Sequence, residues 1–140
     1  MIPTRILALD YGRVHTGVAI CDPTGTIVRP MEAVREAATP EGIRKIAALV
    51  ESERISAVIV GLPVSLSGEL GTQAMETADF VKDLAGTLTV KVRTWDERFT
   101  SKLAAQKGRH SDTNPHSLAA CCLLEDYLGS EEFREPGKEE

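Results

Sequence analysis

Hydrophobic and polar positions along the chain change period several times, and each change marks an element. Residues 5–10, Arg5-Ile-Leu-Ala-Leu-Asp, form an apolar run with little alternation, which predicts a buried central strand. A turn at Gly12, with polar Arg13 and His15, separates it from a second strand over Thr16 to Cys21. Asp22-Pro23-Thr24-Gly25 carries a β-turn signature, and Thr26 to Val34 read as a third strand. Pro30 cannot donate to a ladder, so this third strand belongs at a sheet edge. The period then becomes helical. Thr39-Pro40 supplies an N-cap and a proline at the first helical position, followed by Ile43, Ile46, Ala47 and Val50.

"SAVIVGLP" (Ser56 to Pro63) is a short apolar run closed by Gly and Pro, a fourth buried strand, and "VSLSGELG" is loop. Gln73 to Leu84 predict a helix with Met75, Ala78, Val81 and Ala85 on one side. "LTVKVRTW" (Leu88 to Trp95) alternates as a fifth strand. "DERFTSKLAAQK" starts a helix that "GRHSDTNP" breaks, and Asn114-Pro115 opens a last helix through Leu128. Three hairpin-linked strands followed by alternating helices and strands predict an α/β domain with a mixed sheet. That domain spans residues 1–128, and the charged segment 129–140 reads as a mobile tail.

Composition narrows the functional classes. With 140 residues, 42% hydrophobic and 26% charged, the chain suits one globular domain. No apolar run approaches the ~20 residues of a membrane helix, so no membrane partner is expected. The N-terminus shows no basic-then-apolar signal pattern, and a cytoplasmic location is expected. Cys21, Cys121 and Cys122 have no zinc-ligand spacing and suit a reducing compartment. A net charge of −5 argues against bulk electrostatic affinity for nucleic acid. Aromatic residues total 4%, so no base-stacking platform is signalled.

Candidate chemistry sits at strand ends, where open α/β sheets bind ligands. Asp10 ends the first strand, and Asp96 and Glu97 fall just past the last. Carboxylates meeting there would bind Mg²⁺ or Mn²⁺ and support attack on a phosphodiester. Simpler roles stand beside this one. Asp10 could accept from amides of the Gly12 turn, and Asp96 or Glu97 could cap the next helix, since Thr94 and Glu97 have capping-box spacing.

Four segments go further: "LDYGRVHTGVAICD", "VIVGLPVSLSGELG", "WDERFTS" and "SLAACCLLEDYL". Their order and spacing resemble the YqgF/RuvX family of ribonuclease-H-like proteins, over residues 5–128. That family takes in proteins described as pre-16S rRNA nucleases and as Holliday junction resolvases. The resemblance implies a five-stranded mixed sheet, its first three strands antiparallel, with helices on both faces. It also implies that Asp10 and Glu97 are catalytic acids and metal ligands, with Asp96 sharing the site or capping a helix. Gly12, Arg13, Gly61, Gly68, Arg98 and Thr100 fall in family motifs and are expected to shape the site and meet phosphate.

Two departures bear on activity. Where the family carries a third acid in a Val-Asp-Ser-x-Ala-Ala pattern, this chain reads "PHSLAA", placing His116 there. An imidazole ligand leans towards Mn²⁺, and the helix N-terminus favours its neutral form. Asp112 is an alternative source of the missing carboxylate. The first turn reads "GRVHTG", one basic charge short of the family's usual pattern. The leading expectation is therefore a metal-dependent nuclease acting on precursor 16S rRNA. Its alternatives are a resolvase of branched DNA, which would need a homodimer where RNA trimming suits a monomer, and a catalytically weakened nucleic-acid-binding factor. An actin-like ATPase, suggested by "LDYGRVHTGVA", would need a second lobe for which this chain has no room.

Overall fold

The structure is a computed structural model that describes residues 5–62, 71–96 and 115–130, with the side chains of residues 115 and 116 outside that description. Its elements run β1 (Ile6–Asp10), β2 (His15–Cys21), β3 (Val28–Arg35), α1 (Pro40–Ser52), β4 (Ala57–Leu62), α2 (Thr72–Thr87), β5 (Lys91–Asp96) and α3 (Pro115–Leu128). The sheet order is β3-β2-β1-β4-β5. β1 pairs antiparallel with β2, and β2 with β3, while β4 runs parallel to both β1 and β5. This is the ribonuclease-H-like mixed sheet, with Pro30 on edge strand β3 as expected.

Both faces of β1 are covered, which explains its unbroken apolar run. Leu7 and Leu9 join Val58 and Val60 under Ile43, Ile46 and Val50 of α1 and Phe80 and Leu84 of α2. Ile6 and Ala8, on the alternate face, join Ala19 and Ile59 under Leu123, Leu124 and Tyr127 of α3. Each such burial contributes about 1.5–3 kcal/mol for a large aliphatic side chain. Trp95 locks α3 to the far side of the sheet: its indole N–H donates to Asp126 at 2.8 Å, and its ring meets Tyr127 edge-on at 5.2 Å. Cys121 lies in this second core, and burial first, then Glu125 and Cys122, pushes its thiol up to about 12. Cys21 is buried there too, accepting from the Ile6 amide at 3.3 Å.

Several boundaries and one helix face depart from the sequence expectation. In α2 the buried positions are Ala74, Thr77, Phe80 and Leu84, whereas Met75 is 61% exposed and Ala78 and Ala85 face solvent. β3 starts at Val28 rather than Thr26, because the Asp22 carboxylate holds the Thr26 and Ile27 amides at 2.8 and 2.7 Å. The Thr39 cap is formed as expected, its hydroxyl accepting from the Gly42 amide at 3.1 Å. β5 begins only at Lys91 but reaches Asp96, which pairs with Leu62. Asp96 is thus the last residue of a strand, not the first beyond it. The helix expected from "DERFTSKLAAQK" lies, apart from Asp96, outside the described residues, as do residues 131–140 of the expected tail.

Candidate active site

Asp10 closes β1, the middle strand of the sheet, and is half-buried. Strand alternation sends it to the α3 face, with Ile6 and Ala8. Its neighbours across the sheet are glycines on both sides. Gly17 of β2 is its antiparallel partner, and the parallel register that pairs Leu9 with Val60 brings Gly61 of β4 alongside. Gly61 pairs in turn with Trp95. On the α3 side the carboxylate is thus flanked by two residues without side chains, a two-glycine clearing in the sheet surface. Gly61, expected to help shape the site, is a buried residue of β4, within the run expected to be a strand, and it borders Asp10.

The α3 N-terminus is fastened beside this clearing. Ser117, fully buried, accepts from the Val18 amide at 3.2 Å and donates to the Met31 carbonyl at 2.6 Å. Those two backbone groups belong to β2 and β3 where their register shifts between Thr16 and Val18. The hydroxyl fills the gap that the irregularity opens in the ladder. Val18 follows Gly17, the partner of Asp10, so the first turn of α3 is tied one residue from the carboxylate's own strand pair. His116 immediately precedes Ser117 in that turn, and its side chain lies outside the described residues.

The turn after Asp10 is tightly built. A Cβ on Gly12 would come within 2.4 Å of the His15 carbonyl oxygen, so glycine is required there by the backbone itself. The Gly12 amide donates to the Thr16 hydroxyl at 3.3 Å. Tyr11 stacks on Phe80 with ring centroids 4.6 Å apart, and burial, then Glu76, raises its hydroxyl pKa. Arg13, expected at phosphate, pairs with Glu76 of α2. Its Nε donates to Oε1 at 2.9 Å, and a terminal nitrogen reaches Oε2. That bond is the main cause holding the Glu76 carboxyl below its ordinary range. Tyr11, Gly12, Arg13, Thr72, Gln73 and Glu76 line a cavity of ≈ 360 Å³.

Asp96 ends β5 on the face opposite Trp95, hence opposite Asp10, by strand alternation. The two carboxylates are therefore not brought together on one face. Glu97, Gly68, Arg98, Thr100 and Asp112 lie outside the described residues. Among the described residues no group of three or more His, Cys, Asp or Glu side chains could hold a metal ion. Asp10 in its clearing offers one hard oxygen donor, which suits a Mg²⁺- or Mn²⁺-type cation. Ser117 and Glu76 escaped the sequence reading. Each acts across a long separation, 99 residues from Ser117 to Val18 and 63 from Arg13 to Glu76.

This five-stranded mixed sheet is shared with solved Holliday junction resolvases of the ribonuclease-H-like fold. Thermus thermophilus RuvC, solved in complex with a Holliday junction substrate, shares the fold with a TM-score of 0.58 at 17% identity, covering 88% of this chain and 91% of that one. The fowlpox virus Holliday junction resolvase gives 0.51 at 15% identity, over 89% and 98%. The chain belongs to the RuvX family, whose model, described as "Holliday junction resolvase", matches residues 4–130. A Rubrobacter xylanophilus protein named "Putative pre-16S rRNA nuclease" is 41% identical over 132 residues, 89% of this chain and 91% of its own length. A Sulfurihydrogenibium protein of the same name is 36% identical over 132 residues, 89% and 90%.

Proposed function

We propose that this chain is a metal-dependent nuclease of the cytoplasm that trims precursor 16S rRNA, with Asp10 at its centre. The observation that carries the reading is the half-buried Asp10 carboxylate in its two-glycine clearing, with the first turn of α3 tied alongside by Ser117. Asp10, Glu97 and His116 would hold Mn²⁺ or Mg²⁺, the imidazole favouring Mn²⁺. When bound, such a cation lowers the pKa of water and offsets charge building on the phosphoryl oxygens. Arg13 and Arg98 would meet substrate phosphate, and Gly68 and Thr100 would help shape the site. Asp96, on the other face of β5, is assigned to the strand end and not to the metal.

The names of the curated relatives favour RNA, and the family description favours branched DNA. A resolvase must cut two strands in concert and so needs two active sites. Cleavage of a 5′-extended 16S precursor and of a synthetic four-way DNA junction, alongside sedimentation of the protein, separates the two. A monomer that trims the RNA and leaves the junction intact is expected. A dimer that nicks the junction symmetrically and ignores the RNA would replace this reading with the resolvase.

A further inference from the structure

The Arg13–Glu76 pair joins the turn that follows Asp10 to the first turns of α2, and it sits on the rim of the ≈ 360 Å³ cavity. The guanidinium is engaged at two nitrogens, yet the Arg13 side chain is 74% exposed and Glu76 31%. A guanidinium fork fits a phosphate as well as it fits a carboxylate. The pair is bidentate, but Arg13 stands largely in solvent, where salt screens it, so a phosphate arriving with other contacts can displace the carboxylate. Tyr11, stacked on Phe80 one helical turn beyond Glu76, holds the backbone of this turn in place.

We infer that Glu76 competes with nucleic-acid phosphate for Arg13, holding the guanidinium in the unbound protein and yielding it when substrate docks. The inference rests on the nucleic-acid reading above. It gives Glu76 a part in specificity. A short or isolated phosphate does not displace the carboxylate, whereas a strand already held elsewhere does. In a chain of net charge −5, this contact would restrain non-specific binding further.

Fluorescence anisotropy of the full chain in EDTA tests this on labelled 5′-extended 16S precursor RNA and on a labelled four-way DNA junction. Glu76→Gln should tighten binding of the substrate by about two- to fivefold, the range an exposed ion pair can hold back. Its affinity should fall more steeply with salt, because in the unmodified chain the released Glu76 carboxylate takes up a cation that offsets one of the counterions freed from phosphate. In an Arg13→Ala background the same substitution should change nothing, and Asp79→Asn, which removes a charge elsewhere on exposed α2 surface, should have the smaller effect. Unchanged or weaker binding by Glu76→Gln overturns the competition. So does an equal gain in the Arg13→Ala background, because charge removal alone would then account for it. If no variant binds either nucleic acid, the nucleic-acid reading itself fails, and this inference with it.

Discussion

Removing the Ser117 hydroxyl is the most informative change to the scaffold of the site. Its oxygen is fully buried, accepts one bond from Val18 and donates one to Met31, at 3.2 and 2.6 Å. Ser117→Ala leaves a backbone N–H and a C=O facing a methyl group. An orphaned buried group costs about 1–3 kcal/mol, and partial relaxation of the strand irregularity offsets some of that, leaving about 2–3 kcal/mol for the pair. At this chain length the loss corresponds to a fall in Tm of about 6–10 °C. Urea denaturation and thermal melts would read it. Ser130→Ala is the control, since that hydroxyl donates to the Tyr127 carbonyl at 2.6 Å but sits at the half-exposed end of α3. The control should cost less than about 1 kcal/mol. A Ser117→Ala loss below about 0.5 kcal/mol would refute the claim that this hydroxyl ties α3 to β2 and β3.

Phe80→Ala should destabilise the protein by about 3–5 kcal/mol in urea denaturation, while Met75→Ala should stay within about 0.5 kcal/mol, because only the former lies on the buried face of α2. The Asp22 carboxyl is held well below the usual range, first by the Thr24 hydroxyl and then by the Ile27 amide. Its folded pKa is depressed, so its contribution is complete above the unfolded value of about 3.9 and is lost as pH falls below it. Acid melts of Asp22→Asn should accordingly show a shallower fall in stability below about pH 4 than the unmodified chain. His116→Asp should raise the ratio of Mg²⁺- to Mn²⁺-supported kcat/KM by about tenfold, since it replaces nitrogen with a hard oxygen donor. An unchanged ratio would remove His116 from the metal shell.

The parts of the fold legible in the sequence are those set by local chemistry. The unbroken apolar run of β1 reflects cover on both faces, Pro30 marks an edge, and Thr39-Pro40 caps α1. The buried face of α2 departs from its apolar pattern for a physical reason. Thr77 looks polar but is buried, because its hydroxyl donates to the Gln73 carbonyl at 2.9 Å within the helix. Met75 looks apolar and stands in solvent. Asp10 was legible as an acid at a strand end, but its clearing was not, since Gly17 and Gly61 border it only through register. The contacts of Arg13 and Ser117 depend on packing between distant segments, and no local pattern encodes them. Family resemblance supplied Glu97 and His116, which spacing alone would have left as a helix cap and a helix-terminal residue.

The most direct test of the account is the metal dependence of cleavage by the Asp10→Asn chain. Purified protein would be given 5′-extended 16S precursor RNA with Mn²⁺, with Mg²⁺ or with EDTA, and circular dichroism would verify that the variant is folded. The account predicts cleavage by the unmodified chain with metal only, faster with Mn²⁺. It also predicts a loss of at least about 100-fold in Asp10→Asn, because even groups that merely support a ligand cost 10–100-fold when removed. Cleavage that survives in EDTA, or at an undiminished rate in folded Asp10→Asn, would contradict it.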